Sequence, residues 1–573
     1  MATITKHYAQ AGDRRIHYRR AGEGPPLVMV HASPGSAFAL EPLIGRLSER
    51  YTVIAPDSPG YGESTPLDVE VPEIGDFADA LAGTLDALGL TRFDLFGSHT
   101  GTKIATEFAI RFPQRVRRLV LDGIGAYSPE TIAWLLEHYT PFFTPASDGS
   151  HLVQAWTMRR DMNLFWPWFN RTVEGRTMRD LPSAEDQHDS FVDMLRGGNN
   201  YRKGYRAAFR YDAVAALKKL TVPTALFSRK SDPLIVYLDR VGGVPSNVLN
   251  EVVDDANGGA FDGRIFAFLG EGDPLPPPPP PPAQPSLVSE VRRDYLMTSV
   301  GQLLMRKSGA GPERPLIVFH ASPGSSQGME SYLLRFGLDR PVITFDNPGN
   351  GDSAALPGTP EIGDIADVLL EAIDQLGFSE YDVFGSHTGA MIGIDIAIKR
   401  PDRVKHLILD GITMYPPDYV AWLLENYPIP LRISSYGEHL IWSWNQLRDM
   451  QLFYPYFDRT TESARRSGLS DPESMQRGFL EFIKGGKTYH KSYRAAFNYP
   501  TGAMLPLLRV PTMHCASPTD PLKKFLEEGK QLTQGSVAYE TAARTTPEGF
   551  SNCVSLWRTF LADRPLPEEG RIP

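Results

Sequence analysis

The stretch Phe-Gly-Ser-His-Thr-Gly at residues 96–101 decides the fold, and it occurs again, letter for letter, at residues 384–389. In each copy, glycines stand two positions before and two positions after a histidine, His99 or His387. A pattern with a small residue two positions before and two positions after a central residue places that central residue at the apex of a sharp strand-to-helix turn. The backbone there leaves no room for Cβ atoms at the flanking positions. Because such a turn displays one side chain prominently, the pattern predicts chemistry at the histidine.

The repeat extends far beyond this turn. The paired copies keep a spacing of 288 or 289 residues, which is much longer than the repeat of any solenoid. The chain has 573 residues, too many for a single hydrophobic core. We therefore expect two tandem domains of one kind. The other repeated motifs are His-Ala-Ser-Pro-Gly-Ser at 31–36 and 320–325, Leu-Asp-Gly-Ile at 121–124 and 409–412, and Tyr-Arg-Ala-Ala-Phe at 205–209 and 493–497.

A proline-rich segment separates the two copies. It contains an unbroken proline run that ends at Pro282. Such a run favours an extended polyproline II conformation, which makes a semi-rigid spacer, although it is also a possible ligand for a proline-binding partner. The position at the boundary favours the spacer. We predict a first domain at residues 1–272, a linker at 273–286 and a second domain at 287–573.

Composition excludes several classes of function. The formal net charge is −10 and no long basic cluster is present, which argues against nucleic acid as a partner. No apolar signal region and no stretch of twenty apolar residues occur, so we expect no membrane association. Only two cysteines are present, which indicates a reducing compartment. A cytoplasmic protein fits these observations best.

Short apolar β-type runs alternate with helical segments in each half. In the first half, runs at 26–30, 51–55 and 93–96 read as strands, and residues 103–111 read as a helix. This alternation predicts an α/β fold with a mostly parallel sheet flanked by helices, twice over. Functional groups in such sheets gather at the carboxyl ends of strands, where the repeated polar motifs lie.

Three motifs in this order resemble the α/β-hydrolase superfamily, in the branch of epoxide hydrolases, haloalkane dehalogenases and related esterases. The resemblance implies two tandem α/β-hydrolase domains, each with a helical cap, at about 126–215 and 414–503. The motifs are the His-Ala-Ser-Pro-Gly loops at 31–35 and 320–324, the Asp-x-Pro-Gly-x-Gly-x-Ser loops at 57–64 and 346–353, and the turns at 97–101 and 385–389.

The family's catalytic triad consists of a nucleophile, an acid and a late histidine, and this sequence departs from it twice. Histidine replaces the usual nucleophile at the turn, which the family calls the nucleophile elbow. The late histidine is missing, because none occurs between His188 and His320 and none after His514. Candidate acids are Asp232 and Asp520, which follow a late strand, or Asp122 and Asp410, one strand earlier.

One hypothesis accounts for both departures. An imidazole reaches farther than a serine hydroxyl, so His99 or His387 at the elbow extends into the space of the missing histidine and meets an aspartate there. The resulting His–Asp dyad either attacks a carbonyl directly, giving an acyl-imidazole, or acts as a general base. The base role is the more natural for an imidazole beside a carboxylate. The sequence leaves open which aspartate is the partner.

The resemblance also implies an oxyanion hole made of backbone N–H groups. The donors are those of Thr100 and Ser33 in the first half and of Thr388 and Ser322 in the second. A displaced serine nucleophile at Ser98 is disfavoured, because Phe96 and Thr100 would then occupy positions that need small residues.

Further repeated residues are candidates for substrate binding. In the conservative interpretation, the cap residues form a hydrophobic core that an Arg–Asp pair holds in place. His31 and His320 then only fix the conformation of the oxyanion loop. The sharper interpretation is an aromatic pocket in which arginine or tyrosine orients a polar substrate. The candidates are His31, Trp156, Arg160, Tyr205 and Arg206, with their counterparts His320, Trp444, Arg448, Tyr493 and Arg494.

We therefore expect an enzyme that cleaves an ester-like or C–C bond of a small organic substrate. The alternatives are a lyase or cofactor-free oxygenase that uses the histidine as a base, or a non-catalytic binding module. No metal-ligand spacing and no dinucleotide fingerprint occur, so we expect no metal and no cofactor. Tandem fusion favours an intramolecular pseudo-dimer of the two halves.

Overall fold

The computed structural model describes residues 2–255, 259–282 and 290–572. The chain forms two compact units. The first comprises Met1–Gln284 with Ile433–Gly437, and the second comprises Pro285–Arg432 with Glu438–Pro573. The domain limits expected from the sequence remain predictions, and linker residues 283–286 lie outside the described residues.

The first unit contains an eight-stranded sheet in the order β1-β2-β4-β3-β5-β6-β7-β8. β1, β2 and β4 pair antiparallel, and the remaining neighbours pair parallel. The strands are β1 (Thr5–Ala11), β2 (Arg14–Ala21), β3 (Pro26–Val30), β4 (Thr52–Pro56), β5 (Phe93–Ser98), β6 (Val116–Asp122), β7 (Thr224–Arg229) and β8 (Val248–Val253).

Helices cover both faces of this sheet. The core on one face joins sheet residues such as Leu27 and Val53 to Ile44 and Leu47 of one helix and Ile265 of another. The helices are α1 (Glu41–Leu47), α2 (Ile74–Ala87), α3 (Thr100–Arg111), α4 (Pro129–His138), α5 (Ser150–Leu164), α6 (Ala184–Gly197), α7 (Tyr201–Arg210), α8 (Ala213–Leu217) and α9 (Ala260–Leu269).

The second unit repeats this architecture. Its sheet has the equivalent order, β16-β15-β14-β13-β11-β12-β10-β9. The strands are β9 (Arg292–Thr298), β10 (Gly301–Ser308), β11 (Leu316–Phe319), β12 (Val342–Phe345), β13 (Tyr381–Ser386), β14 (Val404–Asp410), β15 (Thr512–Ala516) and β16 (Val537–Glu540). The helices are α10 (Glu330–Phe336), α11 (Ile362–Asp374), α12 (Thr388–Lys399), α13 (Pro417–Asn426), α14 (Glu438–Leu452), α15 (Pro472–Lys484), α16 (Tyr489–Asn498), α17 (Thr501–Met504), α18 (Leu526–Leu532) and α19 (Pro547–Leu561).

The predicted fold class is confirmed, and most predicted strands fall within one or two residues of the observed ones. The sequence did not predict the antiparallel hairpin β1–β2 at the start of the first sheet. Its strands carry many polar residues, and hydrophobic alternation is weak there, as in the β2 sequence Arg-Arg-Ile-His-Tyr-Arg-Arg-Ala. His17 and Arg19 are nevertheless buried, because both contact the Asp57 carboxylate.

Helices α4–α7 and α13–α16 lie in the segments predicted as caps. Tyr427, Tyr456, Phe482 and Tyr489 belong to a buried aromatic cluster of the second cap. The caps follow β6 and β14, so they begin at the carboxyl edge of each sheet, where the elbows also lie.

The described part of the proline run forms neither helix nor strand. Arg20 Nη1 donates a hydrogen bond to the Pro279 carbonyl at 2.7 Å, which places this part of the run beside the first sheet. Across the described residues, none of the helices combines the length and the apolar character needed to cross a membrane.

Candidate active site

His99 and His387 stand at the apex of equivalent strand-to-helix turns. β5 ends at Ser98 and α3 begins at Thr100, so His99 is the single connecting residue. His99 has φ +50° and ψ −102°, and His387 has φ +50° and ψ −114°. A non-glycine residue with positive φ is strained, and such strain is retained mainly at functional sites. The sequence therefore located the displayed side chain of each half correctly.

The glycines around each elbow are required by close backbone contacts. A Cβ on Gly97 would lie 2.3 Å from the Gly101 carbonyl oxygen, and one on Gly101 would lie 2.1 Å from the Val30 carbonyl oxygen. The equivalent distances in the second half, for Gly385 and Gly389, are 2.2 and 2.3 Å. No side chain fits at these positions, as the motif predicted.

Each elbow imidazole contacts the aspartate that follows the late strand. His99 Nε2 lies 2.6 Å from Asp232 Oδ2, and His387 Nε2 lies 3.2 Å from Asp520 Oδ2. Asp232 caps the short helix after β7, where its other oxygen accepts the Leu234 N–H at 2.8 Å. The acid is therefore held by the backbone on one side and faces the imidazole on the other.

The two groups shift each other's pKa in the directions expected of an ion pair. Burial lowers the pKa of His99, but the charge of Asp232 and the hydrogen bond to it outweigh burial, so the pKa lies above its ordinary value. Burial raises the pKa of Asp232, but attraction to His99 prevails and lowers it to about 2. The pKa of His387 is likewise raised and that of Asp520 lowered.

The other candidate acids, Asp122 and Asp410, are occupied by arginines. Arg229 donates two hydrogen bonds of 3.0 Å to Asp122, from Nε to Oδ1 and from Nη2 to Oδ2. Arg544 contacts both oxygens of Asp410, one of them at 2.6 Å from Nη1. Each pair neutralises a buried carboxylate beneath the elbow, so the structure places Asp232 and Asp520, rather than these residues, beside the imidazoles.

The arginine of each pair comes from a different place in the chain. Arg229 ends β7, whereas Arg544 lies in the loop between β16 and α19. The residue equivalent to Arg229 is Ser517, and the residue equivalent to Arg544 is Ala256. We call a contact that both halves keep with residues at different positions a relocated contact.

The serine before each elbow points toward these buried acids. Ser98 Oγ donates to Asp122 Oδ2 at 3.2 Å, and Ser386 Oγ donates to Asp410 Oδ2 at 3.1 Å. Ser386 Oγ also lies 3.1 Å from His387 Nδ1. Ser386 is not among the residues that line the adjoining cavity, whereas His387 is. The imidazole, not the hydroxyl, is the group presented to that cavity.

The cavity of the second half has a volume of about 490 Å³, within the range of small-molecule sites. His387 and Asp520 line it, together with Ser322 and Thr388, the predicted oxyanion donors. As the first residue of α12, Thr388 has no intrahelical acceptor for its N–H. The rest of the wall is largely apolar and aromatic, including Met391, Tyr427, Met450, Tyr454, Tyr493 and Phe497.

A second relocated contact fixes the oxyanion loops. Ser33 Oγ lies 2.6 Å from the Tyr61 hydroxyl in the first half, and Ser322 Oγ lies 2.8 Å from Ser492 Oγ in the second. The position of Ser492 is Gly204 in the first half, where a Cβ would lie 2.2 Å from the Tyr61 hydroxyl oxygen. Each half thus supplies one hydroxyl to the loop serine from a different element.

A third relocated contact supports the segment that carries the acid. Arg179 Nε donates to the Ser231 carbonyl at 3.0 Å, and Arg465 Nη2 donates to the Thr519 carbonyl at 3.3 Å. These carbonyls belong to the residues just before Asp232 and Asp520. The cap arginines therefore tie the cap to the acid-bearing turn in both halves.

His31 and His320 are buried and hold their loops through both ring nitrogens. The Ser58 N–H donates to His31 Nε2 at 2.9 Å, which leaves the proton on Nδ1 to donate to the Ala32 carbonyl at 3.0 Å. His320 makes the equivalent bonds with Asn347 and Ala321. Burial lowers the pKa of both histidines. This geometry favours the loop-shaping interpretation over substrate contact.

Most other predicted substrate contacts lie in the caps. Trp156 packs on Phe191 and Trp444 on Phe479, with ring centroids 5.3 and 5.7 Å apart. Of the second-half candidates, Tyr493 lines the cavity, whereas His320, Trp444, Arg448 and Arg494 do not. In the caps, Asp161 pairs with Arg171 and Asp449 pairs with Arg459.

The remaining candidates also have structural contacts. Arg206 Nη1 donates to the Leu136 carbonyl at 2.6 Å, and Arg494 Nη1 donates to the Leu424 carbonyl at 3.0 Å. The Tyr205 hydroxyl donates to the Ser33 carbonyl at 2.7 Å. Among the described side chains, His, Cys, Asp and Glu form no group of three or more that is arranged to hold a metal ion.

Comparisons with known proteins agree with the fold. The family model described as "alpha/beta hydrolase fold" matches residues 25–278 and 314–436. The chain is 39% identical over 259 residues to 2-hydroxy-6-oxononadienedioate/2-hydroxy-6-oxononatrienedioate hydrolase 2 of Pseudomonas putida, an alignment that covers 42% of this chain and 83% of that protein. It is 30% identical over 239 residues to the soluble epoxide hydrolase of Corynebacterium sp. (strain C12), covering 38% of this chain and 79% of that protein.

A shorter alignment relates it to (E)-2-((N-methylformamido)methylene)succinate hydrolase of Acinetobacter baylyi, at 35% identity over 122 residues. This alignment covers 21% of the chain and 46% of the relative, so the chain matches about half of that protein's length. The names of these relatives describe hydrolases of a substituted succinate, of epoxides and of unsaturated 2-hydroxy-6-oxo diacids.

Proposed function

We propose that this chain, which belongs to the α/β-hydrolase fold family, hydrolyses an ester-like or C–C bond of a small organic substrate with a His–Asp dyad in place of a triad. One observation carries the proposal. In both halves the residue at the strained elbow is an imidazole whose Nε2 faces a carboxylate, at 2.6 Å from Asp232 or 3.2 Å from Asp520.

The dyad fixes which imidazole nitrogen reacts. A carboxylate beside Nε2 favours the tautomer that carries its proton there, which leaves the lone pair on Nδ1. In the base mechanism of the first half, His99 Nδ1 takes a proton from water as the water oxygen bonds to the substrate carbonyl carbon. In the second half the Ser386 hydroxyl lies 3.1 Å from His387 Nδ1, so water must replace that contact before the same step. Asp232 or Asp520 stabilises the imidazolium that results. The same proton is then given to the leaving alkoxide or carbanion as the C–O or C–C bond breaks, so hydrolysis consumes one water and returns the imidazole unchanged.

The backbone stabilises the charge that develops on the carbonyl oxygen. In the second half, Ser322 and Thr388 line the same cavity as His387, so their N–H groups are the donors for an oxyanion there. Ser33 and Thr100 have the same role in the first half. Direct attack of the imidazole on the carbonyl, giving an acyl-imidazole, is the alternative use of the same geometry.

The relocated contacts favour a catalytic pair of halves over a decayed binding module. Three supporting groups come from different sequence positions in the two halves. They are the arginine that pairs with the buried acid, the hydroxyl that contacts the oxyanion-loop serine, and the arginine that bonds to the acid-bearing turn. In each case a change at one position is compensated at another, so both halves keep the supports of the acid and of the oxyanion loop. The same base is compatible with a lyase or a cofactor-free oxygenase. The 39% identity to a protein named as a 2-hydroxy-6-oxononadienedioate hydrolase supports hydrolysis.

Isotope labelling tests the reaction class. The full chain is incubated with aryl esters and with β-diketones in H₂¹⁸O under air, and in parallel in ordinary water under ¹⁸O₂. Hydrolysis places ¹⁸O from water in the carboxylate product and none from dioxygen. Label from dioxygen identifies an oxygenase, and cleavage without label from either source identifies a lyase. A fluorophosphonate probe is expected to leave the protein unlabelled, because no serine is presented at the elbow.

A further inference from the structure

A buried lysine lies one turn beyond the elbow of the first half. Lys103 is on α3 and is only 3% exposed. Its Nζ donates to the Ala208 carbonyl at 2.7 Å and lies 4.9 Å from the centroid of the Tyr127 ring. No carboxylate pairs with it within the described parts of the chain. The dyad mechanism makes no use of this amine.

An isolated ammonium in apolar surroundings is costly, so such a group is retained for a reason. Burial lowers the pKa of Lys103 to about 7. The Ala208 carbonyl and the Tyr127 ring each stabilise the cation only in part. An ammonium has three donors, and Ala208 accepts one of them, which leaves two for a ligand.

The second half shows what this position faces. The residue equivalent to Lys103 is Met391, and the residue equivalent to Ala208 is Ala496. Met391 and Ala496 both line the cavity that also contains His387. The two helices begin identically, Thr-Gly directly after the elbow histidine, so Lys103 occupies on α3 the place that Met391 occupies on α12, four residues after His99.

We propose that Lys103 is an anion-binding residue of the first half, which receives the carboxylate of a small organic acid beside His99. The second half has the thioether of Met391 in the same place and so offers no ammonium there, while Arg465 and Arg544, which also line its cavity, are bonded to the Thr519 carbonyl and to Asp410. The two halves thus differ in the charge that this position of the site offers to a ligand. This inference rests on the proposed active site, and its test measures binding rather than turnover, so its failure is distinguishable from failure of the dyad.

Calorimetric titration of the full chain with benzoate and with benzamide, its neutral counterpart of the same shape, tests the proposal. The wild type is expected to bind one benzoate per chain. Lys103→Met, which installs the residue of the second half, is expected to weaken benzoate binding at least about tenfold and to change benzamide binding less than about twofold. Met391→Lys is expected to add a second benzoate site.

The design separates misfolding from loss of the site. Thermal unfolding of Lys103→Met should match the wild type or exceed it, since an apolar side chain replaces a buried amine. A folded Lys103→Met chain that binds benzoate as tightly as the wild type overturns the proposal, and so does a wild type that binds no benzoate. A folded Met391→Lys chain without a second site shows that this position does not set the charge preference, which also overturns it.

Discussion

The imidazole of His99 meets the carboxylate of Asp232 at 2.6 Å, although 133 residues of chain separate them. The contact joins the end of β5 to the turn after β7, two strands that are not neighbours, since β6 lies between them. The reach of an imidazole spans that gap, which a serine hydroxyl would not. The second half repeats the contact between His387 and Asp520.

Replacing the elbow histidines tests whether the imidazoles catalyse. His99→Ala and His387→Ala should each keep the turnover of the intact half, whereas the double variant should lose about 10²–10⁴-fold, the usual contribution of a general base. Initial rates on the substrate found by isotope labelling give the comparison. Ser98→Ala is the matched control, because Ser98 Oγ donates to Asp122, and it should stay close to the wild type. Full turnover in the double variant contradicts the dyad.

The acid limb of the pH profile should follow the His–Asp contact. A base must be deprotonated, and the pKa of His99 is raised, so kcat/KM of the first half should fall as pH drops through a value above 6.5. Asp232→Asn removes the charge that stabilises the imidazolium, which lowers this pKa. The acidic fall of kcat/KM should therefore move to lower pH, and the maximal kcat/KM at higher pH should decrease about 10²-fold or more. The measurement uses a His387→Ala background, and an unmoved limb argues against the pairing.

The contact between Arg544 and Asp410 should stabilise the second half mainly by neutralising a buried charge. Asp410 is fully buried and the Arg544 side chain is 21% exposed. Arg544→Ala should therefore destabilise the protein by about 3 kcal/mol, at the lower end for broken buried pairs. Adding Asp410→Asn removes the uncompensated charge and should recover about half of the loss. Urea unfolding checks both values, and equal effects for the single and double variants would contradict this explanation.

The relocated hydroxyl predicts a rescue in the first half. Gly204→Ser alone places a side chain against the Tyr61 hydroxyl and should cost about 1–3 kcal/mol through overpacking. Tyr61→Asn alone leaves a cavity and should cost about 3 kcal/mol.

The double variant imports the Asn350–Ser492 arrangement of the second half, where Ser492 Oγ donates to Asn350 Oδ1 at 3.0 Å. It should be more stable than the sum of the single effects by about 1–2 kcal/mol. Thermal unfolding of the wild type, the two single variants and the double variant gives the free energies for this double-mutant cycle. Strict additivity would show that the two positions do not compensate each other.

Sequence repetition revealed the fold, the elbow histidines and two candidate acids for each half, because those residues stand at equivalent positions in the two halves. It missed Arg229, Arg544, Tyr61 and Ser492, since comparison of two copies detects identical residues and overlooks a contact that has moved. The comparison of the two copies did not single out Lys103 either, because its counterpart in the second half is Met391. Which aspartate pairs with the imidazole needed coordinates, because the strands carrying Asp122 and Asp232 are adjacent in the sheet and the sequence does not say which acid an arginine occupies.

Buried acids neutralised from two different chain positions restrict how the halves recombine. Consider a crossover that falls after β7 in one half and after β15 in the other. One hybrid would carry Arg229 from the first half and Arg544 from the second, and the reciprocal hybrid would carry Ser517 and Ala256 at those positions. The first hybrid has two guanidinium groups for one carboxylate, and the second has none. Either hybrid would therefore leave an unbalanced charge at a buried site, so an exchange of segments between the halves at this point should destabilise the domain that receives it.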